Sequence, residues 1–242
     1  MCSIASIGIN IAMSAAIVQS MCGVTLVGGG ELIPAFVTDS LTIAPCLVAA
    51  DGGADAVLAL GLMPQAVIGD LDSLSDVARQ VLVPAVLHLL TEQDTTDFDK
   101  CLRSIDAPFI LALGFTGARI DHALAAFHAL VRHPDRRCLI LGPADLCFVA
   151  PASLHLHLPV GTRFSLFPMA PVAATSRGLR WPLDGLAFAP DRLIGTSNET
   201  SEPEVHLTLD APVMLVILPL DCLTAVIAAV TPKTGAPAVR GE

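Results

Sequence analysis

Short apolar runs alternate with helical patterns from Gly23 to about Leu146. The runs are VTLVGG, CLVAAD, AVIGD, VLHLL, FILALG and CLILG. Between them, helical periodicity predicts helices around residues 53–61, 74–82, 96–105 and 121–132. Buried runs that alternate with helices, with turn residues at the strand ends, predict an α/β domain with a parallel, Rossmann-like sheet.

Two of these helices carry an apolar stripe, because residues three and four positions apart share one helical face. In helix 96–105 the stripe consists of Phe98, Cys101, Leu102 and Ile105. In helix 121–132 it consists of Ile120, Leu124, Phe127 and Val131. We therefore expect both helices to pack against the sheet through these residues.

The pattern changes close to residue 147, where short alternating segments lie between Pro and Gly turns. Such segments predict a C-terminal antiparallel β-sandwich domain. In the segment LHLHLP, His155 and His157 alternate with leucines, and we expect both to face solvent. The predicted organisation is a poorly ordered extension at 1–22, an α/β domain at 23–146, a β-sandwich at 147–230 and a disordered tail at 231–242.

The high apolar content, 53% with a mean hydropathy of +0.69, raises the question of a membrane protein. The longest apolar candidate, residues 213–230, is interrupted by Pro219 and Asp221 and is shorter than the ~20 residues that a bilayer requires. The seven cysteines are scattered and form no CxxC pair. We therefore predict a soluble cytoplasmic protein with reduced thiols and without a membrane partner.

The charge distribution limits the ligands that the chain can bind. A net charge of −10 argues against a nucleic-acid partner, since such partners are bound by basic surfaces. No Lys or Arg precedes Arg79. An anionic ligand bound by the first third of the chain would therefore need backbone amides or a metal ion.

Acidic residues follow several of the predicted strands. Asp70 and Asp72 come directly after the run AVIG, and residues i and i+2 of a strand project to the same side. Asp97 and Asp121 begin the helices that follow later strands. The carboxyl ends of parallel strands meet at one sheet edge, and carboxylate oxygens suit Mg²⁺, which also bridges to substrate phosphates. The pattern therefore predicts a Mg²⁺ site for a phosphorylated ligand.

Each of these motifs also has a purely structural explanation. Asp51 at the end of CLVAAD can cap the following helix, and Asp94, Thr95 or Thr96 can cap helix 96–105. Arg119 and Asp121 can form a structural ion pair, or the arginine can bind a phosphate while the aspartate binds a metal or its water. Their shared position at one sheet edge favours the interpretation as a ligand site.

Six ordered motifs resemble those of the thiamin pyrophosphokinase family. They are ADGGAD, VIGDLDS, EQDTTDFDKCL, GFTGARIDH, SRGLRWPL and GTSNE, within about residues 23–220. The resemblance implies transfer of a diphosphoryl group from ATP to the hydroxyl of thiamin, giving thiamin diphosphate and AMP. It also implies that the α/β domain binds ATP and Mg²⁺, that the β-sandwich binds thiamin, and that a homodimer forms with active sites at the subunit interface.

The resemblance further implies roles for individual residues. The Mg²⁺ and phosphate carboxylates would be Asp70, Asp72 and Asp97, with Asp51 and Asp121 in the same acidic group. The residues along the ATP and diphosphate path would be Gln93, Thr96, Lys100 and Arg119. The thiamin contacts would be Trp181, Ser197 and Asn198. The turn GFTGAR departs from the GGxGGR of many relatives, so the shape of this loop is not carried over.

Two other functions are compatible with the residues. Two aspartates after a strand also support a Mg²⁺-dependent phosphohydrolase that forms a phosphoaspartate at Asp70. A module that senses nucleotides would bind ATP without turnover, although the sequence shows no regulatory feature such as a basic patch. Release of AMP that depends on thiamin would distinguish diphosphoryl transfer to thiamin from both of these alternatives.

Overall fold

The computed structural model describes residues 16–117 and 119–231. The strands of the first half are β1 (Val18–Gln19), β2 (Val24–Val27), β3 (Cys46–Ala50), β4 (Ala66–Gly69), β5 (Leu87–Leu89), β6 (Ile105–Asp106), β7 (Ile110–Leu113) and β8 (Cys138–Leu141). The strands of the second half are β9 (Asp145–Val149), β10 (Ser153–His157), β11 (Arg163–Pro168), β12 (Val172–Arg177), β13 (Ala187–Phe188), β14 (Gly195–Glu199), β15 (Glu204–Leu209) and β16 (Met214–Pro219). The α-helices are α1 (Pro34–Ile43), α2 (Gly53–Ala59), α3 (Asp76–Val81), α4 (Asp97–Ser104), α5 (Ile120–Arg132) and α6 (Leu223–Val230). Short 3₁₀ helices lie at Pro84–Val86, Pro134–Arg136 and Leu220–Cys222.

A ten-stranded sheet has the order β14-β11-β16-β9-β8-β7-β2-β3-β4-β5. The strands from β8 to β5 are parallel, whereas those from β14 to β9 are antiparallel, and β8 pairs with β9 in antiparallel fashion. A separate antiparallel sheet has the order β10-β15-β12-β13. The predicted mixture of parallel α/β structure and antiparallel sheets is confirmed. The predicted division at residues 146 and 147 stays a prediction, and β9 continues the same sheet across it.

The parallel strands are buried on both faces, as expected when helices cover both sides of a sheet. In β2, Leu26 packs into the core beneath α4 and α5, whereas Val27 packs into the core that α1 and α2 cover. Successive residues of one strand thus supply two cores. This burial accounts for the continuous apolar runs in the sequence.

The four predicted helices are present, with ends that differ by at most two residues. Helices α1 and α6 are missing from the prediction. The first begins at Pro34 without a side-chain cap from Ile33, so it lacks the usual polar signal for a helix start. The second has the sequence LTAVIAAV, whose apolar residues do not distinguish a helix from a buried strand.

The apolar stripes fare differently in the two helices. The stripe of α4 is buried as predicted, with Phe98 and Leu102 in the core. The stripe predicted for α5 is wrong at its first two positions, because Ile120 and Leu124 are 75% and 60% exposed. The helix instead packs against the sheet through Ala126, Ala129 and Leu130. Phe127 and Val131, the last two positions of the predicted stripe, are partly buried against the same core.

The ends of the chain lie largely outside the described residues. Residues 1–15 and 232–242 are not described, so the predicted disorder there stays a prediction. The described part of the predicted N-terminal extension differs from the expectation, since Val18–Gln19 pairs in parallel with Ile105–Asp106. Among residues 16–117 and 119–231, no helix combines the length and hydrophobicity required to cross a bilayer.

Candidate active site

Three carboxylates converge where two neighbouring strands end. Asp51 follows β3, Asp70 follows β4, and Asp97 is the first residue of α4. One oxygen of each lies within 4.8 Å of the others. We call these three residues the acidic cluster. Strands β3 and β4 are parallel neighbours, so their carboxyl ends place the first two side chains together, as the sequence predicts.

Lys100 partly neutralises the charge of this cluster from its buried side. Its side chain is 1% exposed, and its Nζ donates to Asp97 Oδ1 at 2.9 Å and to Asp70 Oδ2 at 3.4 Å. Burial acts to lower the pKa of Lys100, but the hydrogen bond and charge of Asp97, and then of Asp70, outweigh it and raise the pKa above its usual value. The lysine is therefore a fixed positive charge at the base of the cluster.

Asp51 is the least satisfied member of the cluster. It is buried, and its Oδ2 accepts a hydrogen bond from the Ser73 backbone N–H at 3.2 Å, while its Oδ1 has no partner among the described residues. Burial raises the pKa of Asp51; the charges of Asp97 and Asp70 add to this, against hydrogen bonds from Ser73. A buried carboxylate oxygen without a partner, beside two further carboxylates, fits a bound divalent cation.

The geometry around Asp72 differs from the sequence expectation. Strand β4 ends at Gly69, and Leu71 has a left-handed backbone with φ +61°, so Asp70 and Asp72 do not project as residues i and i+2 of a strand. Asp72 is exposed, and its Oδ1 accepts from Ser73 Oγ at 3.0 Å. Its backbone N–H donates to Asp70 Oδ1 at 3.4 Å. The clustered oxygens belong to Asp51 rather than to Asp72, and a role for Asp72 in metal binding stays a prediction.

Gly69 makes room for the acidic cluster. A Cβ at this position would lie 2.8 Å from the Cβ of Asp51 and 3.0 Å from Oδ1 of Asp97. Any larger residue would therefore push two of the carboxylates apart. In the sequence, this requirement is visible only as the glycine in VIGDLDS. A glycine at that position is equally consistent with an ordinary turn, so the sequence alone does not reveal the requirement.

The segment before α4 supports the cluster with polar side chains. Gln93 Nε2 donates to Asp70 Oδ2 at 3.1 Å. Burial acts to raise the pKa of Asp70. This effect is outweighed by hydrogen bonds from the Asp72 backbone and from the side chains of Gln93 and Lys100, and by the charge of the lysine, so the pKa of Asp70 is lowered. Thr96 accepts from the Asp99 backbone N–H at 3.3 Å and caps α4, so of the three candidates Asp94, Thr95 and Thr96 the structure selects the last.

Not every acid in this segment belongs to the site. Asp99 is buried, and its carboxylate pairs with Arg132 at 3.0 Å and lies 3.2 Å from His133 Nε2. These contacts connect α4 to the end of α5. The side chain therefore has a structural role, although its spacing in the sequence resembles that of Asp97.

Arg119 and Asp121 form an exposed pair at the start of α5. Arg119 Nη2 donates to Asp121 Oδ2 at 2.6 Å and Nε donates to Oδ1 at 3.2 Å, with both side chains about two-thirds exposed. The hydrogen bond between them raises the pKa of Arg119 and lowers that of Asp121. Within the described part of the chain, neither side chain forms a hydrogen bond or ion pair with the acidic cluster.

The three predicted thiamin contacts lie together at β14. Asn198 is buried; its Oδ1 accepts from the Trp181 backbone N–H at 3.2 Å, and its Nδ2 donates to the Trp181 carbonyl at 2.8 Å. The Trp181 side chain is 52% exposed, and the Arg180 guanidinium lies 4.9 Å from the centre of its ring. Ser197 is exposed and has φ +62°. Asn198 thus holds the backbone that presents the indole.

Comparison with known proteins supplies the family. The model of the thiamin pyrophosphokinase catalytic domain matches residues 38–141, and that of the thiamin pyrophosphokinase vitamin B1 binding domain matches residues 153–214. Together the two models match more than half of the chain. The chain belongs to the thiamin pyrophosphokinase family.

Curated relatives and solved structures agree with this assignment. Thiamine pyrophosphokinase 1 of Oryza sativa subsp. japonica is 29% identical over 204 residues, which span 70% of this chain and 77% of the relative. Thiamine pyrophosphokinase 2 of Arabidopsis thaliana is 30% identical over 173 residues, or 64% of this chain and 65% of the relative. Thiamine pyrophosphokinase from Bacillus subtilis has a TM-score of 0.65 at 21% identity and covers 81% of this chain and 98% of its own. Thiamin pyrophosphokinase from Candida albicans has a TM-score of 0.67 at 15% identity, and the match covers 85% of this chain and 93% of the Candida albicans chain. At these identities the two structures show the fold.

The family membership predicted from six motifs is thereby confirmed. Four of those motifs fall within the matched thiamin pyrophosphokinase catalytic domain, and the two that contain Trp181 and Asn198 fall within the matched vitamin B1 binding domain. The acidic cluster and the exposed indole therefore belong to the parts of the chain that resemble the two functional halves of this family.

Proposed function

We propose that the chain catalyses the transfer of a diphosphoryl group from ATP to the hydroxyl of thiamin, producing thiamin diphosphate and AMP. Membership of the thiamin pyrophosphokinase family, with matches to both domain models, supports this activity. The observation that carries it is the acidic cluster above a buried lysine in the catalytic-domain region. The comparisons do not favour a phosphohydrolase or a non-catalytic nucleotide sensor.

We infer that Mg²⁺ binds at the acidic cluster, with Asp70 and Asp97 as ligands, Asp51 completing the set and Asp72 close enough along the chain to contribute. The support is the donor chemistry, since all the oxygens are carboxylate oxygens and Asp51 Oδ1 has no partner among the described residues. When bound, Mg²⁺ would neutralise the charge of the ATP phosphates. This neutralisation matters because no Lys or Arg precedes Arg79 in the sequence.

The protein groups act mainly through position and charge. Lys100 and Gln93 orient the Asp70 carboxylate through their hydrogen bonds. The Arg119 guanidinium is exposed, and its planar fork matches the oxygens of a diphosphoryl group. To bind the diphosphoryl oxygens, the guanidinium of Arg119 would leave the Asp121 carboxylate and pair with the substrate instead. Phosphoryl-type transfer depends on positioning and electrostatic stabilisation, so no dedicated general base is required.

Thiamin binds, in this proposal, against the exposed indole of Trp181. Thiamin carries a permanent positive charge on its thiazolium ring, and an indole face attracts such a cation by about 0.5–2 kcal/mol. Asn198 fixes the backbone on either side of this contact, and Ser197 offers an exposed hydroxyl next to it. A cationic substrate also suits a chain with a net charge of −10.

We further propose a homodimer with the active sites at its subunit interface. Ile120 and Leu124 are largely exposed on α5, directly beside Arg119, and Trp181 is half exposed. Contiguous apolar side chains at the surface commonly mark an interface between proteins. A partner that covers them would also enclose the substrates. A cytoplasmic location stays a prediction from the cysteine pattern.

The proposal is tested by measuring AMP formation from ATP and Mg²⁺ with and without thiamin. We expect AMP only in the presence of thiamin. Asp70→Asn and Asp97→Asn should each lower turnover by at least ~10²-fold, the usual effect of removing one charge-stabilising group. Asp39→Asn, a change at an exposed acid on α1, is the matched control and should leave turnover unchanged.

Three results would contradict the proposal. AMP formation without thiamin, or phosphate release from a monoester with phosphorylation of Asp70, would favour the phosphohydrolase. ATP binding without any turnover would favour the nucleotide sensor. Full activity in both cluster variants would remove the acidic cluster from the active site while leaving the family assignment intact.

A further inference from the structure

A second group of metal-ligating side chains lies on the outer face of the four-stranded sheet. Strand β10 contributes His155 and His157, and strand β15 contributes Glu204 and His206. The register places His155 opposite His206 and His157 opposite Glu204. Alternate residues of a strand face the same side, so all four side chains are exposed while the leucines and valine between them are buried. We call these four residues the His–Glu cluster.

The side chains of the His–Glu cluster are already close together. Glu204 lies between two histidines, with Oε2 at 2.5 Å from His155 Nε2 and Oε1 at 2.7 Å from His157 Nδ1. The rings of His155 and His206 are stacked, with their centres 4.0 Å apart and their planes at 15°. One ligand atom each from His155, Glu204 and His206 lies within 4.8 Å of the others.

We propose that the His–Glu cluster binds a divalent transition-metal ion, of which Zn²⁺ is the representative. Imidazole nitrogens with one carboxylate are a donor set typical of Zn²⁺, whereas the all-oxygen acidic cluster suits Mg²⁺. At metal–ligand distances of ~2.0–2.1 Å, tetrahedral ligands lie ~3.4 Å apart, so the side chains must rotate and the stacked rings of His155 and His206 must turn their nitrogens towards one point. All four side chains are exposed, which leaves room for this rotation. His157 supplies a fourth ligand from the same face.

The electrostatics of the group favour a cation at this position. A glutamate is ionised at neutral pH, as a metal ligand must be, and the Glu204 carboxylate lies between the rings of His155 and His157. Arg177 on β12 lies opposite His206 and brings a positive charge to the same face. The negative charge of Glu204 must therefore outweigh this repulsion, which makes Glu204 the ligand on which affinity depends most.

A metal ion bound at the His–Glu cluster would link strand β10 to strand β15 through its ligands. Both strands carry core residues on their inner face, among them Leu154, Leu156, Val205 and Leu207. An ion bound only by the folded sheet stabilises it in proportion to the logarithm of its free concentration. The site is thus distinct from the proposed active site in its ligands, its metal and its consequence.

The experiment measures Zn²⁺ binding to the full chain, with any affinity tag removed and with excess Mg²⁺ present to occupy oxygen-only sites. Isothermal titration should give one more bound Zn²⁺ in the wild type than in His206→Ala. Glu204→Gln should weaken this binding by at least ~10-fold, since even changes behind the direct ligands have effects of that size. His128→Ala, an exposed histidine on α5 away from the cluster, is the matched control and should bind as the wild type does.

A second readout covers the case in which a variant folds poorly. Zn²⁺ should raise the unfolding temperature of the wild type and of His128→Ala, and should raise that of His206→Ala or Glu204→Gln by less. Equal Zn²⁺ stoichiometry and affinity in the wild type and His206→Ala would overturn the proposal, as would an equal loss in His128→Ala. Neither readout involves turnover, so the outcome is independent of the proposed kinase activity.

Discussion

Lys100 allows the strongest quantitative prediction, because it is a buried cation between two carboxylates. We consider Lys100→Met, which keeps a long flexible side chain in the same space and removes the charge. In the wild type, Nζ contacts both Asp97 and Asp70. Removal of one partner from a buried ion pair typically costs ~3–5 kcal/mol, because the other charge is left uncompensated. Asp70 and Asp97 retain 16% and 32% exposure, so we expect the lower end, about 3 kcal/mol.

The assay is urea unfolding at neutral pH in EDTA, followed by circular dichroism. Arg103→Met is the matched control on the same helix, because Arg103 pairs with Glu92 while 41% exposed. Surface pairs contribute only ~0–1 kcal/mol, so this control should unfold close to the wild type. Mg²⁺ should restore part of the stability lost in Lys100→Met, because the cluster without the lysine carries more uncompensated charge.

The pH dependence follows from the directions of the pKa shifts. The pKa of Asp70 is lowered, so its contribution is present above its unfolded value and is lost as the pH falls through the lower folded value. The pKa of Lys100 is raised, so its contribution is present below its unfolded value and is lost only as the pH rises through the higher folded value. The deficit of Lys100→Met should therefore be full between about pH 5 and pH 10 and shrink on acidification. A variant within ~0.5 kcal/mol of Arg103→Met at neutral pH would refute this reasoning.

Two predictions concern the substrates. Arg119→Lys should lower turnover while thiamin affinity stays unchanged, because a lysine cannot reproduce the planar fork that we assign to the diphosphoryl group; steady-state kinetics with weaker thiamin binding and unchanged turnover would move Arg119 to the thiamin site. Trp181 is the single tryptophan, so saturating thiamin should change the protein's fluorescence, and Trp181→Phe should weaken thiamin binding more than ATP binding. An active enzyme whose fluorescence does not respond to thiamin would contradict the contact.

The parts of the fold with strong local signals could be predicted from the sequence. The parallel strands could be predicted because burial on both faces gives continuous apolar runs. Helix α4 could be predicted because Thr96 caps it and its apolar stripe is regular. The exposed face of α5 could not be predicted from the sequence. Ile120 and Leu124 show the same helical periodicity whether they face the sheet or the surface. Periodicity shows which residues share a face and leaves open what that face contacts.

The site shows a similar limit, and here the missing information is backbone conformation. Asp70 and Asp72 are separated by Leu71 in the left-handed region, and Asp51 is itself left-handed with φ +41°. A leucine gives no sign of such a conformation, which costs an L-residue about 1–2 kcal/mol, and an aspartate tolerates it without announcing it. For this reason the sequence places Asp72 beside Asp70 within a larger acidic group, whereas the structure brings Asp70 together with Asp51 and Asp97, from the ends of two strands and the start of a helix.

These unfavourable features occur at one place in the molecule. Asp51 and Leu71 have left-handed backbones, Asp51 Oδ1 is buried without a partner among the described residues, and Lys100 is buried beside the carboxylates. The left-handed backbones and the oxygen without a partner lower the stability of the protein without ligand, whereas Lys100 offsets part of the charge of the carboxylates. A divalent cation with a polyphosphate would compensate the charge and satisfy the free oxygen. Strained backbone and unsatisfied polar groups are typical of functional sites, and their coincidence here, more than the number of acids, supports our proposal that the active site lies at the ends of β3 and β4.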